Sequence, residues 1–163
     1  ELFVGWFSDR TAYERVKTRR KEIMAAKIRQ TPLQSKPGVR SLICELEKRG
    51  IKSAVVTASP QKRAQMHLES VGLNGLFETI ITTEDVKKGK PAPDIFLLAC
   101  KTAQIPPERS LVLEDSEPGA KAAKTAGIPY IIVPDINYPG KEVAETAEMI
   151  AESLIDVERL FAL

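Results

Sequence analysis

Leu111-Val112-Leu113-Glu114-Asp115-Ser116 is the stretch on which the reading of this chain turns. Three apolar residues, too few for a helix, run straight into two carboxylates and a hydroxyl. A run of small residues follows, Gly119 to Ala126, with Gly127 to stop it, and then a second apolar run, Tyr130-Ile131-Ile132-Val133. Short apolar run, helical stretch, short apolar run is the pattern of a βαβ unit, which needs parallel strands covered on both faces.

The same alternation extends in both directions. Upstream, Val39, Leu42, Ile43 and Leu46 recur at helical spacing, and Gly50 ends that helix. A strand is expected at Ala54-Val55-Val56. Ser59 followed by Pro60 reads as a helix N-cap with proline in the first turn, and that helix should end near Gly72. Thr79 to Thr82 reads as another strand, Lys87 to Pro93 as a loop, and Asp94 to about Thr102 as a helix. Downstream of Lys141 the composition is helical, with one short strand near Met149-Ile150. The whole is an α/β architecture of Rossmann-like type, a parallel sheet with helices on both faces. The segment before it differs. Thr11-Ala-Tyr-Glu14 has the form of a capping box, opening a very basic helix to about Ile28 that reads as a solvated face, and the polar Pro32 to Pro37 stretch reads as a hinge.

Composition narrows the function. The 163 residues carry 24 basic and 22 acidic side chains, so no excess charge awaits a nucleic acid. No apolar run approaches the roughly 20 residues of a membrane span. The two cysteines, Cys44 and Cys100, are too few for a disulfide scaffold and read as buried thiols. With no secretory pattern visible, a cytoplasmic setting is the expectation.

In open α/β sheets ligands bind at the carboxyl ends of the strands. Those ends carry Thr57-Ala58-Ser59, Thr82-Thr83, Glu114-Asp115-Ser116 and Pro134-Asp135, with Lys90 in a loop between. Thr57 can donate its hydroxyl to a phosphate oxygen, and the N–H groups of Ala58 and Ser59 lie just before a helix start, where anions are favoured. Lys90 offers a mobile positive charge for a phosphoryl oxygen. Glu114 and Asp115 are hard oxygen ligands suited to Mg²⁺, and a metal would relieve the repulsion between them. Together they make half of a phosphoryl-transfer site. His67, the lone histidine, falls within a helix and reads as structural. A dinucleotide site is excluded because no strand is followed by G-x-G-x-x-G. A two-component receiver domain is excluded because its acidic residues precede the Thr and Lys.

Val55-Val-Thr57-Ala-Ser59, Lys88-Gly-Lys90-Pro-Ala-Pro-Asp94 and Leu113-Glu114-Asp115-Ser116 with Gly119, in this order, resemble the second, third and fourth motifs of the haloacid-dehalogenase superfamily. The resemblance spans about residues 36 to 135, including Pro37-Gly38-Val39. It is nearest to the β-phosphoglucomutase-like and phosphoglycolate-phosphatase-like branch. It implies a Mg²⁺-dependent phosphatase of small phosphorylated metabolites working through an aspartyl-phosphate. Thr57 and Ala58 would hold the phosphoryl group, and Lys90 would stabilise it. Asp115 would ligate the metal, with Glu114 as ligand or supporting partner. A sugar-phosphate mutase and a non-catalytic binding module are the alternatives. It also implies that residues 1–33 are a remnant of a helical cap and 34–163 the core. Val4 to Arg10 would be a substrate-facing loop, and Arg19 and Arg20 candidates for a distal anion. The family's Asp-x-Asp pair, on a strand in the middle of the sheet, is found nowhere in this sequence. A gap is therefore expected between the Thr57 strand and the Asp115 strand. The expectation is that the natural protein continues upstream of Glu1, or else that Leu2 to Phe7 serves as a surrogate strand.

Overall fold

The computed structural model describes residues 10–30, 33–135 and 137–161. The chain divides into two compact units, Glu1–Gln34 and Ser35–Leu163. In the first, α1 spans Arg10–Gln30. Thr11 lies inside this helix rather than at its cap, so the capping-box reading does not hold. Its charges pair along the helix, Lys17 with Glu14 at 3.6 Å and Arg19 with Glu22 at 3.0 Å, and Arg19 is 72% exposed. The segments 2–7 and 4–10, read above as a surrogate strand and a substrate-facing loop, fall outside the described residues except for Arg10.

In the second unit the expected alternation is present. Helix α2 (Val39–Lys48) precedes β1 (Ala54–Val56), α3 (Gln61–Ser70) and β2 (Thr79–Ile81). Then come α4 (Asp94–Ala103), β3 (Val112–Glu114), α5 (Glu117–Thr125) and β4 (Tyr130–Ile132). The chain closes with α6 (Lys141–Thr146), β5 (Met149–Ile150) and α7 (Leu154–Phe161). All pairings are parallel, but they form two sheets, β1-β2 and β3-β4-β5. Among the described residues no strand pairs with the second edge of β1 or of β3. The strands leading to Thr57 and Asp115 thus each have one edge unpaired among the described residues. Thr57 N–H bonds to Ile81 O on β2, so the carbonyl of Val56, one residue earlier, turns away from β2. Val112 N–H and Glu114 O both bond to the β4 segment, so the backbone of Leu113 faces the other way.

Strand β4 sorts the core. Tyr130 and Ile132 point to one face, among Ile95 and Phe96 of α4, Ala120 and Ala123 of α5 and Val143 of α6. Ile131 and Val133 point to the other, with Leu42 of α2 and Val157 of α7. Period-two alternation on a strand buried on both sides makes every residue apolar, as observed. Ile95, Ile132 and Val157 are essentially without exposure; each contributes about 1.5–3 kcal/mol by burial. Helices α2 and α7 pack so closely that Gly38, with φ +85°, has no room for a side chain: a Cβ would lie 2.6 Å from Ile155 N. Cys100 is buried as expected, whereas Cys44 is exposed. Leu42 and Ile43 take the inward face of α2 and turn Cys44 outward. Among the described residues no helix is long and apolar enough to cross a membrane.

Candidate active site

At the end of β1 the chain turns sharply, because the Thr57 hydroxyl oxygen accepts the Ser59 N–H at 3.1 Å. Ser59 is not the helix cap. Pro60 holds that position in an extended conformation, and the helix begins at Gln61. The Gln61 N–H is instead taken by the Glu84 carboxylate at 2.9 Å, from the loop after β2. That loop is built around Thr82, which is wholly buried. The Thr82 N–H and hydroxyl both donate to Asp85, at 2.7 and 2.8 Å, and the hydroxyl accepts from Glu84 N–H. These two bonds hold the Asp85 carboxyl below its ordinary pKa. Ala58 is exposed at the turn, beside the half-buried Thr57 and Ser59.

Lys90 is fixed rather than mobile. Its ammonium donates to Glu114 Oε2 at 2.7 Å and to Val56 O at 3.3 Å, and lies 4.8 Å from the centre of the Phe96 ring. Both the Lys90 and Glu114 side chains are only 9% exposed. The residue before Thr57 and the residue before Asp115 therefore meet on one ammonium, between β1 and β3, strands that do not pair with each other among the described residues.

Glu114 is held on its other side by Ser116, whose hydroxyl donates to Oε1 at 2.6 Å. The same hydroxyl oxygen caps α5 by accepting the Gly119 N–H at 3.2 Å. The helix thus starts at Glu117, two residues earlier than its small-residue run suggests. A Cβ on Gly119 would coincide with the Glu114 carboxylate, so glycine there makes room for the acid. Asp115 faces an open cavity of about 490 Å³, lined also by Glu117, Ile132, Asp135 and Tyr138. Its carboxyl is pushed above the usual range, first by burial and then by the Glu114 charge, with Lys36 acting in the opposite sense.

These residues fit a divalent cation. Both oxygens of Glu114 are engaged by donors, while Asp115 is partly desolvated and forms no ion pair among the described residues. Among those residues no three His, Cys, Asp or Glu side chains converge. That donor set suits a hard ion that keeps much of its water, as Mg²⁺ does.

Sequence reasoning placed Thr82 at a strand end without its bonds to Asp85, and passed over Lys36, Asp85 and the capping role of Ser116. Thr82-x-x-Asp85 and Ser116-x-x-Gly119 carry the i, i+3 spacing of a side chain bonding a nearby backbone group, which is a local and readable signal. Lys36 carried none, since its partners lie 97 and 98 residues away.

Comparison with known proteins agrees with this geometry. The model of the haloacid dehalogenase-like hydrolase family matches residues 6–133. The chain belongs to that family. It is 37% identical over 115 residues to the phosphorylated carbohydrates phosphatase of Thermotoga maritima, covering 69% of this chain and 53% of that protein. It is 35% identical over 98 residues to the β-phosphoglucomutase of Bacillus subtilis, covering 60% of this chain and 42% of the other. The crystal structure of CbbY from Rhodobacter sphaeroides in complex with phosphate superposes with a TM-score of 0.75 at 30% identity, over 90% of this chain and 65% of CbbY. The chain spans about half the length of the relatives it matches. The α/β fold and the membership expected from the three motifs are thereby established.

Proposed function

We propose that this chain supplies the core of a Mg²⁺-dependent phosphatase acting on small phosphorylated metabolites. The observation that carries the reading is the placement of Lys90, a desolvated ammonium at the meeting point of the β1 and β3 ends. Phosphoryl transfer asks for little beyond positioning and charge stabilisation. The Thr57 hydroxyl, whose oxygen already accepts Ser59 N–H, keeps its proton to donate to a phosphoryl oxygen. The exposed Ala58 N–H adds a second donor at the turn, with Ser59 beside it. Lys90 stabilises the charge on the phosphoryl group and on an attacking carboxylate. Glu114 orients Lys90, and Asp115 holds the metal, which supplies positive charge against the phosphoryl oxygens. The attacking carboxylate belongs to an Asp-x-Asp pair on a strand lying between β1 and β3, a pair the 163 residues do not contain. Residues 1–33 are read as part of a cap. The substrate class is supported by the relatives named for phosphorylated carbohydrates and by the phosphate in CbbY.

The likeness to β-phosphoglucomutase favours a second reading, a sugar-phosphate mutase with the same site. Phosphorus NMR of the reaction separates the two, since a phosphatase releases inorganic phosphate and a mutase returns a positional isomer. The decisive assay uses protein expressed from the complete reading frame, with a panel of sugar phosphates and Mg²⁺. Turnover is expected, and K90A should lower kcat by about 10²–10³-fold, the usual cost of one charge-stabilising donor. No turnover of any phosphate ester, or an unaltered kcat in K90A, overturns the reading.

A further inference from the structure

The Lys90 ammonium sits in a socket with two polar walls and one aromatic wall. It carries three N–H groups. Among the described residues two of them have acceptors, Glu114 Oε2 at 2.7 Å and Val56 O at 3.3 Å. The other close neighbour is the Phe96 ring, its centre 4.8 Å from Nζ. That ring is itself fixed. Phe96 is 4% exposed, within the core cluster that holds Ile81, Ile95 and Val112, and Val56 packs against the same cluster. Ala92 N–H closes a turn around Lys90 onto Gly89 O, and Phe96 N–H bonds to Pro93 O, both at 3.0 Å. Ammonium and ring therefore belong to one short, internally bonded segment at the start of α4.

The chemistry of that wall matters. An oxygen there would take the third proton. An aliphatic side chain would leave a desolvated charge against hydrocarbon. An aromatic ring attracts the cation through its quadrupole and leaves the proton available. We propose that Phe96 is a positioning residue for phosphoryl transfer, holding the Lys90 ammonium so that its third N–H serves a phosphoryl oxygen or the attacking carboxylate. The inference rests on the reading of Lys90 given under the proposed function. Phe96 acts through Lys90 and does not touch the substrate.

The test uses protein expressed from the complete reading frame, with Phe96 replaced by phenylalanines bearing one, two or three ring fluorines. Fluorine drains the ring's negative face and barely changes its size. With a sugar phosphate that wild type turns over, kcat should fall stepwise, by about tenfold for three fluorines, while KM stays within about twofold. F96L, which fills space without a ring, should lose at least as much. Urea midpoints are measured in parallel, in the wild-type and K90M backgrounds. Fluorination should lower the midpoint beside Lys90 and have little effect in K90M, because the charge that the ring stabilises is then gone. A ring that serves packing alone would shift the midpoint equally in both backgrounds and leave kcat unchanged. If kcat ignores fluorination while K90A still lowers it, the role of Phe96 is overturned and the phosphatase reading stands. If wild type turns over no phosphate ester, or K90A matches wild type, that reading fails and the inference falls with it.

Discussion

Removing the Lys90 side chain should be felt in stability as well as in turnover. In K90M the Glu114 carboxylate would stay where it is, 9% exposed, with only the Ser116 hydroxyl to answer it. Breaking a buried pair by deleting one partner costs about 3–5 kcal/mol, because the remaining charge is uncompensated. The loss of the Val56 contact and of the Phe96 ring contact acts in the same direction. Urea unfolding of a chain this size has a slope of about 2 kcal/mol/M, so the midpoint should drop by roughly 1.5–2.5 M. Circular dichroism at 222 nm reads the transition without relying on any one side chain. The double variant K90M/E114Q removes both charges and should recover most of the loss, since what costs stability is the orphaned acid. A midpoint shift in K90M below about 0.5 M would mean that the pair is effectively solvated. The claim that Lys90 is a fixed strut between the two strand ends would then fail.

Other outcomes follow from the same geometry. Because the Asp115 carboxyl is raised above 3.8, the folded state retains a proton that the unfolded state has lost. Stability contributed by this group therefore falls as pH rises above 3.8. D115N should melt higher than wild type at pH 7, with the gain fading as pH approaches 3.8, and millimolar Mg²⁺ should raise the melting temperature of wild type but not of D115N; equal melting curves at pH 7 would contradict the assignment. G119A should push the Glu114 carboxylate off Lys90 and lower kcat while leaving KM nearly unchanged; unaltered kinetics would show that the placement of Glu114 is immaterial. G38A combines a left-handed backbone with a Cβ 2.6 Å from Ile155 N, and should cost about 2–4 kcal/mol in denaturant melts; a loss under 1 kcal/mol would show that α2 and α7 separate easily.

What could be read from the chain beforehand divides along physical lines. The strands were legible because each is a short apolar run with a clear boundary: Ala54–Val56 lies between Ser53 and Thr57, and the fully buried β4 run lies between Pro129 and Pro134. Gly50, Gly72 and Gly127 ended helices where expected, each with positive φ. Errors came where one local signal competed with a tertiary one. Ser59-Pro60 looked like a cap and first turn, but Thr57 had already taken the Ser59 N–H, and Glu84 supplied the cap from another loop. Cys44 looked buried because it sits in an apolar stretch, but helical phase turned it out. Lys90 was read as a site charge but a mobile one, whereas Glu114 and Val56 share and hold it. Lys36 was invisible, since nothing near residue 36 hints at carbonyls almost a hundred residues away.

The most direct measurement is a titration of the isotopically labelled 163-residue chain with inorganic phosphate in the presence of Mg²⁺, followed by amide and lysine-ammonium NMR. The account predicts saturable shifts confined to Thr57, Ala58, Ser59, Lys90 and the Glu114-Asp115 turn, lost together in K90A. Shifts centred on the basic face of α1, or none near Thr57 and Lys90 at saturating phosphate, would contradict it.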